Sequence, residues 1–390
     1  MTIKFLEDGI LQLDKVDILG GGPAGLYTAL LLKTDMPDAR IVVREQNPKD
    51  ATFGFGVVFS DQALGFLQAD DPQTHDLIAP HMERWRNISL VHKGETVTLD
   101  GIGFAAIGRL QLLQLLQKRA SDVGVELVFD QAVSSLDALD GDLIVGADGF
   151  NSLMRNSDPQ AFGQTLGAFS NHFAWFGTTK RFETLTQTFV KTAHGPMNAH
   201  HYRYEPGMST FIVECDQASF DGHGFGELNE EQTARACEEI FADALQGEAL
   251  ITNHSMWRQF PKLWCEKWVA GNRVLLGDAV HTAHYSIGSG TRLAMEGAIA
   301  LAKAFRENDD LETALASFEE VRKPIAKKIV DAANTSALWY DDFGTKMELA
   351  PLDFAFDYVM RSGRVEVEGL RKYSPQFMAD YDAYRAGITS

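Results

Sequence analysis

The alternation of apolar runs with a glycine-rich turn near the start of the chain predicts a βαβ unit. Val16–Leu19 is an apolar run typical of a buried strand, and the glycine-rich segment Gly20–Gly25 interrupts it. The apolar residues of Leu26–Lys33 predict a helix, and Arg40–Glu45 predicts a second strand. Strand, turn, helix and strand within about 30 residues indicate a parallel sheet.

The same α/β pattern continues beyond this unit and returns after Gly271. A leucine-rich run predicts a helix, and short apolar runs before residue 160 and after Gly271 predict further strands. A long final helix is expected to kink at Pro324, because proline lacks the amide donor. These elements are a helix at Arg109–Val123, strands at Glu126–Phe129, Asp142–Val145 and Arg273–Leu276, and helices at Leu293–Phe305 and about Leu311–Tyr340.

The segment from about residue 160 to residue 270 has a different pattern. Apolar β-rich runs such as Phe211–Val213 alternate with turn signals such as Glu205–Gly207, and a helix is predicted near Glu230–Leu245. This pattern predicts a mainly antiparallel sheet inserted into the α/β unit.

The predicted fold class is α/β, with a discontinuous Rossmann-like domain, an inserted antiparallel substrate domain and C-terminal helices. We expect an N-terminal extension at residues 1–15 and a dinucleotide-binding domain at residues 16–159 and 271–340. Residues 160–270 are expected to form the substrate domain, and residues 341–390 a C-terminal segment.

The amino-acid composition argues against some classes of binding partner and cellular location. The 390 residues include 35 Lys and Arg against 54 Asp and Glu, a net charge of −19, which argues against nucleic acid or an acidic membrane surface as partner. Three cysteines without a CxxC pair favour a reducing cytoplasm. The N-terminus lacks a signal-peptide core, and no run of about 18 apolar residues predicts a spanning helix. We therefore expect a soluble, cytoplasmic protein.

The glycine-rich turn carries the first candidate chemistry. Gly20 permits a tight turn, Gly22 lets a pyrophosphate approach the backbone, and Gly25 allows close helix packing. Pro23 and Ala24 lie between them, where the helix N-terminus presents free N–H groups to phosphates. Glu45 ends the second predicted strand, where a carboxylate accepts ribose hydroxyls.

Three later segments resemble motifs of the flavoprotein aromatic hydroxylases. Asp148–Gly149 is similar to the family's "DG" motif, Gly277–Asp278 to its "GD" motif, and Gly288–Gly290 to the glycine turn that follows. The resemblance implies FAD as cofactor, with Asp278 on the ribityl chain, Gly288 and Gly290 near the flavin pyrimidine, and Arg109 on the phosphates. Val57 and Asp148 complete the expected cofactor-binding residues.

Departures from the general family pattern indicate a branch. His284–Tyr285 stands where most members have two prolines, and Arg292 stands where they have asparagine. With the run at residues 52–60, these features resemble the branch that contains salicylyl-CoA 5-hydroxylase, the monooxygenase half of 2-aminobenzoyl-CoA monooxygenase/reductase, and the violacein-pathway hydroxylase. The resemblance implies an aromatic monooxygenase that acts on an aryl-CoA thioester. An indole-type hydroxylase of a tryptophan-derived intermediate, or a flavin-binding partner without turnover, stays open.

The expected chemistry needs a hydride donor and oxygen. Because the chain has one dinucleotide fingerprint, FAD is expected to be resident, and NADH or NADPH to bind transiently. Molecular oxygen is the second substrate. The aromatic small-molecule substrate needs an electron-rich ring, so an amino or hydroxyl substituent is expected, with a base to take its proton.

The candidate catalytic residues are His281, His284, Tyr285 and His201. The first three follow the flavin-binding strand and are expected near the isoalloxazine, although His281 is equally suited to a backbone-bonding role. His200 and His201 are adjacent on a predicted strand, so one of them faces the pocket. No metal is expected, because the pair His281 and His284 has no third ligand at a known spacing. Trp175, Phe53 and Phe55 either wall the ring pocket or are ordinary core aromatics.

Overall fold

The computed structural model describes residues 11–387, except the side chains of residues 61–63. Residues 1–10 of the expected N-terminal extension and residues 388–390 of the expected C-terminal segment lie outside this range. The described strands, numbered in chain order, are β1 Lys15–Leu19, β2 Arg40–Arg44, β3 Gly56–Ser60, β4 Glu83–Trp85, β5 Ile88–His92, β6 Glu95–Leu99, β7 Phe104–Gly108, β8 Glu126–Val128, β9 Leu143–Gly146, β10 Gln164–Thr178, β11 Leu185–Thr192, β12 Gly195–Glu205, β13 Met208–Cys215, β14 Leu250–Ile251, β15 Arg258–Cys265, β16 Val269–Ala270 and β17 Arg273–Leu275.

The helices occupy both the α/β part and the C-terminal part of the chain. Short 3₁₀ turns lie at Ala79–His81, Leu136–Ala138, Phe225–Glu227, Gly277–Ala279 and Tyr285–Ile287. The α-helices are α1 Pro23–Asp35, α2 Asp61–Asp70, α3 Pro72–Ile78, α4 Arg109–Asp122, α5 Leu153–Ser157, α6 Pro159–Phe162, α7 Gln217–Gly222, α8 Glu230–Ile240, α9 Ala242–Leu245, α10 Gly290–Glu307, α11 Leu311–Lys346, α12 Pro351–Met360, α13 Val367–Tyr373 and α14 Pro375–Arg385.

The first sheet is the predicted parallel one. Its order is β16-β17-β9-β1-β2-β8, and every neighbouring pair is parallel except β16 and β17 at one edge. Helix α1 follows β1 and is buried at nine of its thirteen residues, because its sequence is apolar on all sides. The α/β fold class is confirmed, and each predicted strand of this sheet is present within about two residues of its expected bounds.

The second sheet is large and mainly antiparallel. Its order is β14-β10-β13-β12-β11-β5-β6, with β15 paired to β10. Strands β5 and β6 come from the part of the chain before residue 100, and β5 joins the sheet by a parallel pairing with β11. A third sheet, β3-β7-β4, is short and antiparallel. The domain boundaries expected from the sequence stay a prediction.

Helices cover the two large sheets. The predicted helix after Leu311 is longer than expected, since α11 continues to Lys346 with Pro324 inside it. Helices α12 and α14 pack against β6. Phe189 of the large sheet is surrounded there by the rings of Trp339, Phe343 and Phe354. No helix in the described part of the chain is long and apolar enough to cross a membrane.

Candidate active site

Four of the sequence motifs meet at one edge of the parallel sheet. Strands β1, β2, β9 and β17 run in the same direction, so the residues that follow them lie side by side. Those residues are the glycine turn after β1, Glu45 after β2, Ala147–Gly149 after β9 and Gly277–Ala279 after β17. This edge is where doubly wound sheets bind their ligands.

The three glycines of the first turn have different roles. Gly20 has a φ of +98°, and a Cβ there would lie 2.2 Å from the carbonyl oxygen of Ala147. A Cβ on Gly25 would lie 2.0 Å from the carbonyl oxygen of Gly20. No atom lies within 4 Å of the Cβ position at Gly22, which faces the cavity described below. The first and third glycines are therefore needed by the protein itself, and the second leaves room for a ligand.

Glu45 braces this turn rather than pointing freely into the cleft. Its Oε2 accepts a hydrogen bond from the Gly21 backbone N–H at 2.7 Å. Its Oε1 accepts from the backbone N–H of Asn47 at 2.9 Å and from the Asn47 side-chain amide at 2.6 Å. Helix α1 begins with Pro23 immediately beyond the turn, and its free N–H groups face the same side.

A cavity of about 390 Å³, the main cavity, runs from the glycine turn to the large sheet. At one end it is lined by backbone and charged groups, and at the other by aromatic rings of the sheet. Predicted cofactor residues on its wall are Gly22, Pro23, Ala24, Val57, Arg109, Asp278, Gly288 and Gly290. Of the other predicted cofactor residues, Gly20, Gly25 and Glu45 build the turn behind it, and Asp148 lies between the lining residues Ala147 and Gly149.

Two opposite charges line the main cavity. The guanidinium of Arg109 has its Nε without a hydrogen-bond partner among the described residues, and burial lowers its pKa. The Asp278 side chain is exposed at the cavity wall, yet desolvation by the surrounding protein raises its pKa, and the charge of Arg109 opposes that rise. Beside them, Asp148 accepts a hydrogen bond from the Leu153 N–H at 2.7 Å, while its Oδ1 is buried without a partner among residues 11–387. Burial raises the pKa of Asp148 as well.

These features fit the FAD expected from the sequence. The open side of Gly22 and the start of α1 suit a pyrophosphate, because N–H donors and the helix dipole face it. The unpartnered Arg109 Nε is a donor, and Asp278 is an acceptor for hydroxyl groups farther along the cavity. The donor and acceptor types therefore match a phosphate at one end and a polyol beyond it.

Tyr285 lines the other end of the main cavity and is hydrogen-bonded to a buried acid behind it. The Tyr285 hydroxyl donates to Glu214 Oε2 at 2.6 Å, and the Asn171 amide donates to Glu214 Oε1 at 2.9 Å. Glu214 is 2% exposed, and burial raises its pKa to about 7. The same burial, with the neighbouring carboxylate, holds the pKa of Tyr285 well above its usual range.

Glu214 was not identified from the sequence. Its signal is a lone carboxylate in β13, which is otherwise apolar from Phe211 to Val213. Phe173, Trp175, Ile212, Phe260 and the exposed Arg258 complete this end of the cavity. Of the other expected ring-pocket aromatics, Phe53 is 52% exposed and packs on His254, and Phe55 lies against Gly177.

The structure resolves which neighbouring histidine faces the main cavity. His200 lines it, whereas His201, the expected catalytic residue, points to the opposite side of the sheet. There His201 stacks on Phe211 at 5.1 Å and shares a hydrogen bond with Thr188 Oγ1 at 2.9 Å. The physical reason is the alternation of side chains along β12. The structure therefore does not bring His201 to the cavity.

His281 and His284 are also absent from the cavity wall. The ring of His281 packs between those of Trp264 and Trp268, and its backbone N–H donates to the Gly277 carbonyl. His284 packs on Tyr285, and its Nδ1 accepts from the Ser286 N–H at 3.3 Å. Burial lowers the pKa of both imidazoles to about 3. Tyr285 is thus the expected catalytic residue that the structure brings to the main cavity.

No group of three potential metal ligands occurs among residues 11–387. The three cysteines, Cys215, Cys237 and Cys265, are all buried and unpaired. Burial raises the pKa of each thiol.

Comparison with known proteins identifies related sequences. Residues 106–333 match the family model described as "FAD binding domain". Salicyloyl-CoA 5-hydroxylase from Streptomyces sp is 40% identical over 360 residues, covering 89% of this chain and 70% of that protein. A 3-hydroxy-4-methyl-anthranilyl-[aryl-carrier protein] 5-monooxygenase from Streptosporangium sibiricum is 33% identical over 349 residues, covering 90% of this chain and 94% of that protein.

A more distant relative and a solved structure extend the comparison. Protodeoxyviolaceinate monooxygenase from Chromobacterium violaceum is 29% identical over 359 residues, covering 89% of this chain and 94% of that protein. A crystal structure of 2-methyl-3-hydroxypyridine-5-carboxylic acid oxygenase superposes with a TM-score of 0.68 at 17% identity, covering 93% of this chain and 96% of that one. The structural match supports the same fold.

Proposed function

This chain belongs to the FAD-dependent aromatic hydroxylase family, and we propose that its substrate is an ortho-hydroxy or ortho-amino benzoyl thioester. The observation that supports ring chemistry is the main cavity, which joins a phosphate-type glycine turn to an aromatic-lined end. Two relatives support the thioester, since one is named for an aryl group on coenzyme A and the other for an aryl group on a carrier protein.

The proposed reaction inserts one atom of dioxygen into a ring C–H bond. NADH or NADPH supplies two electrons, the second oxygen atom leaves as water, and the ring gains a hydroxyl group. Bound FAD supplies the hydride acceptance and the activation of dioxygen. The remaining catalytic contributions come from the residues of this chain: binding, orientation and exclusion of water.

We assign the FAD site to the residues around the glycine turn. The N–H groups at Gly22 and at the start of α1 would hold the pyrophosphate, and Arg109 would neutralise its charge. Asp278 would accept from the ribityl hydroxyls. Val57, Gly288 and Gly290 line the cavity beyond it and would border the flavin ring. Glu45 holds the turn in shape through Gly21, and its carboxylate has further acceptor positions for the ribose hydroxyls expected there.

Tyr285 and Glu214 are proposed to orient the reacting end of the site. The 2.6 Å hydrogen bond fixes the Tyr285 ring, while the Asn171 amide fixes the other oxygen of Glu214. Glu214 is therefore a positioning residue, able to take up a proton at its carboxyl group near neutral pH. Phe173, Trp175 and Phe260 would exclude water from the flavin ring.

The expected cytoplasmic location also remains a proposal. Coenzyme A thioesters and reduced nicotinamides are intracellular metabolites, and all three cysteines are unpaired thiols.

The exposed Arg258 at the cavity wall offers a positive charge to an anionic carrier arm.

The test is a substrate panel with the FAD-loaded enzyme. It compares 2-hydroxybenzoyl-CoA and 2-aminobenzoyl-CoA with the corresponding free acids and with indolic compounds. Ligand-stimulated NAD(P)H oxidation and product mass are the readouts. We expect hydroxylated product from a thioester at a kcat/KM at least about tenfold above that of the free acid, because the carrier arm adds binding energy.

A second candidate is an indole-type hydroxylase of a tryptophan-derived intermediate. The 29% identity with protodeoxyviolaceinate monooxygenase favours it. Product formed only from the indolic compounds would select this candidate and exclude the aryl thioester.

A further inference from the structure

A second, smaller cavity adjoins the main cavity. Its volume is about 180 Å³, and Val58, His200 and Gly288 lie on the walls of both. We call it the side cavity. Its remaining lining residues come from the large sheet, from the turn after His284 and from the C-terminal part of the chain: Ile88, Ile102, Phe104, Leu185, Gln187, Ser286, Ile287, Tyr358, Val359, Arg361, Ser362 and Val365.

The side cavity is lined by buried polar atoms that have no hydrogen-bond partner among the described residues. Both amide atoms of Gln187 and both ring nitrogens of His200 are in this state, and so is the Ser286 hydroxyl. Gln187 is 1% exposed and His200 is 7% exposed. Because buried polar groups are almost always hydrogen-bonded, this concentration on one wall points to a ligand that completes them.

The strand register explains why Gln187 and His200 act together. They are directly paired across the antiparallel strands β11 and β12, so their side chains lie on the same face of the sheet. Burial lowers the pKa of His200 to about 3, so its ring is neutral and offers one donor and one acceptor. The Gln187 amide offers both kinds of group as well.

The remaining wall is suited to an aromatic ring. It is largely apolar. Its charged member, Arg361, donates through its two terminal nitrogens to the carbonyls of Tyr358 and Ser286 at 2.9 Å and stacks on the Tyr358 ring at 3.8 Å, while its buried Nε has no partner among the described residues. An apolar cavity of about 150 Å³ is large enough to bind benzene. The side cavity therefore has room for one substituted ring and not for a carrier arm.

We propose that the side cavity binds the aromatic ring of the substrate, and that Gln187 and His200 together select a ring by hydrogen bonds to its hydroxyl or amino substituent. This inference rests on the proposed function for the substrate class. It adds that the ring approaches the flavin from the side of Gly288 and that specificity lies in two neighbouring residues of β11 and β12.

The test is equilibrium binding of ring fragments to the FAD-loaded enzyme without reductant. The probes are 2-hydroxybenzamide and benzamide, which differ by the ring hydroxyl and carry no thioester. Dissociation constants are measured by calorimetry for the wild type and for Gln187→Met and His200→Leu. The matched control is Gln117→Met, since Gln117 is a buried glutamine of α4 outside both cavities, with its Oε1 also unpartnered among the described residues.

We expect the wild type and Gln117→Met to bind 2-hydroxybenzamide about tenfold more tightly than benzamide, the effect of one buried hydrogen bond. The ratio should fall close to one in Gln187→Met and in His200→Leu. FAD content establishes which variants are folded, and either folded variant is sufficient for the test. No preference in the wild type, or a preference retained in the folded variants, would overturn the inference.

The two proposals fail in different ways. If the variants lose the preference while no thioester is hydroxylated, the ring site stands and the thioester assignment falls. If thioesters are hydroxylated while the variants keep the preference, the substrate class stands and the ring site is elsewhere.

Discussion

Replacing Glu214 by glutamine should make the stability of this protein less dependent on pH. Glu214 is 2% exposed and faces Tyr285 and Asn171, with Asp341 farther away, and none of these groups carries a positive charge. A buried carboxylate without a cation resists ionisation, which is why its pKa rises from 4.5 to about 7. Glutamine has nearly the same shape and cannot ionise.

The sign and size of the expected stability change follow from the difference in the Glu214 pKa between the folded and the unfolded chain. Between pH 4.5 and about 7 the folded protein keeps a proton on Glu214 that the unfolded chain releases. The free energy of unfolding of the wild type therefore falls as pH rises through this window. A difference of about 2.5 pH units corresponds to about 3 kcal/mol. The Glu214→Gln variant should therefore gain up to that amount relative to the wild type by about pH 8.

The assay is denaturant unfolding of both proteins with saturating FAD at several pH values from about 5 to 8. A changed hydrogen bond to Asn171 shifts the stability difference between the two proteins by the same amount at every pH. The slope of that difference against pH therefore reports only the ionisation of Glu214. We expect the stability difference, Glu214→Gln minus wild type, to become more positive as pH rises. A stability difference that does not change with pH across this range would contradict the raised pKa of Glu214.

Three further substitutions test the site. Asp278→Ala should weaken FAD binding about tenfold to a hundredfold, measured by flavin fluorescence, because a charge-assisted hydrogen bond is lost; unchanged affinity would contradict the assignment. Gly22→Ala should fold with an unchanged apoprotein melting temperature, because no protein atom lies near the new Cβ, but should bind FAD at least about tenfold more weakly, because a bound phosphate would contact it. Unchanged FAD affinity would show that the phosphate does not bind at this turn. Tyr285→Phe should retain FAD but yield less hydroxylated product and more hydrogen peroxide per NAD(P)H consumed, because the 2.6 Å bond to Glu214 is lost; unchanged coupling would show that orientation comes from elsewhere.

The parts of the site that depend on local constraints could be predicted from the sequence. Gly25 is required by a contact within one βαβ unit, and Gly20 by the Ala147 carbonyl after β9 of the same sheet. The spacing of the turn already indicates both glycines. Asp278 follows a predicted strand of the same parallel sheet, so its place at the binding edge follows from the sheet's direction.

The parts of the site that depend on long-range strand pairing could not be predicted from the sequence. Alternation along β12 shows that one of His200 and His201 faces the cavity, but the choice between them depends on which side of the large sheet α8 covers. Glu214 is recognisable as a site residue only through its hydrogen bond to Tyr285, which lies 71 residues farther along the chain. Gln187 becomes notable only when β11 pairs with β12 and leaves its amide without a partner among the described residues.

A single reaction with labelled oxygen tests the proposed ring hydroxylation most directly. The FAD-loaded enzyme is incubated with 2-hydroxybenzoyl-CoA, NADH or NADPH, and isotopically labelled dioxygen, and the thioester is analysed by mass spectrometry. We expect a ring-hydroxylated thioester that carries one labelled oxygen atom. Recovery of the unchanged thioester, under conditions where the enzyme hydroxylates the free acid or an indolic compound, would contradict this proposal.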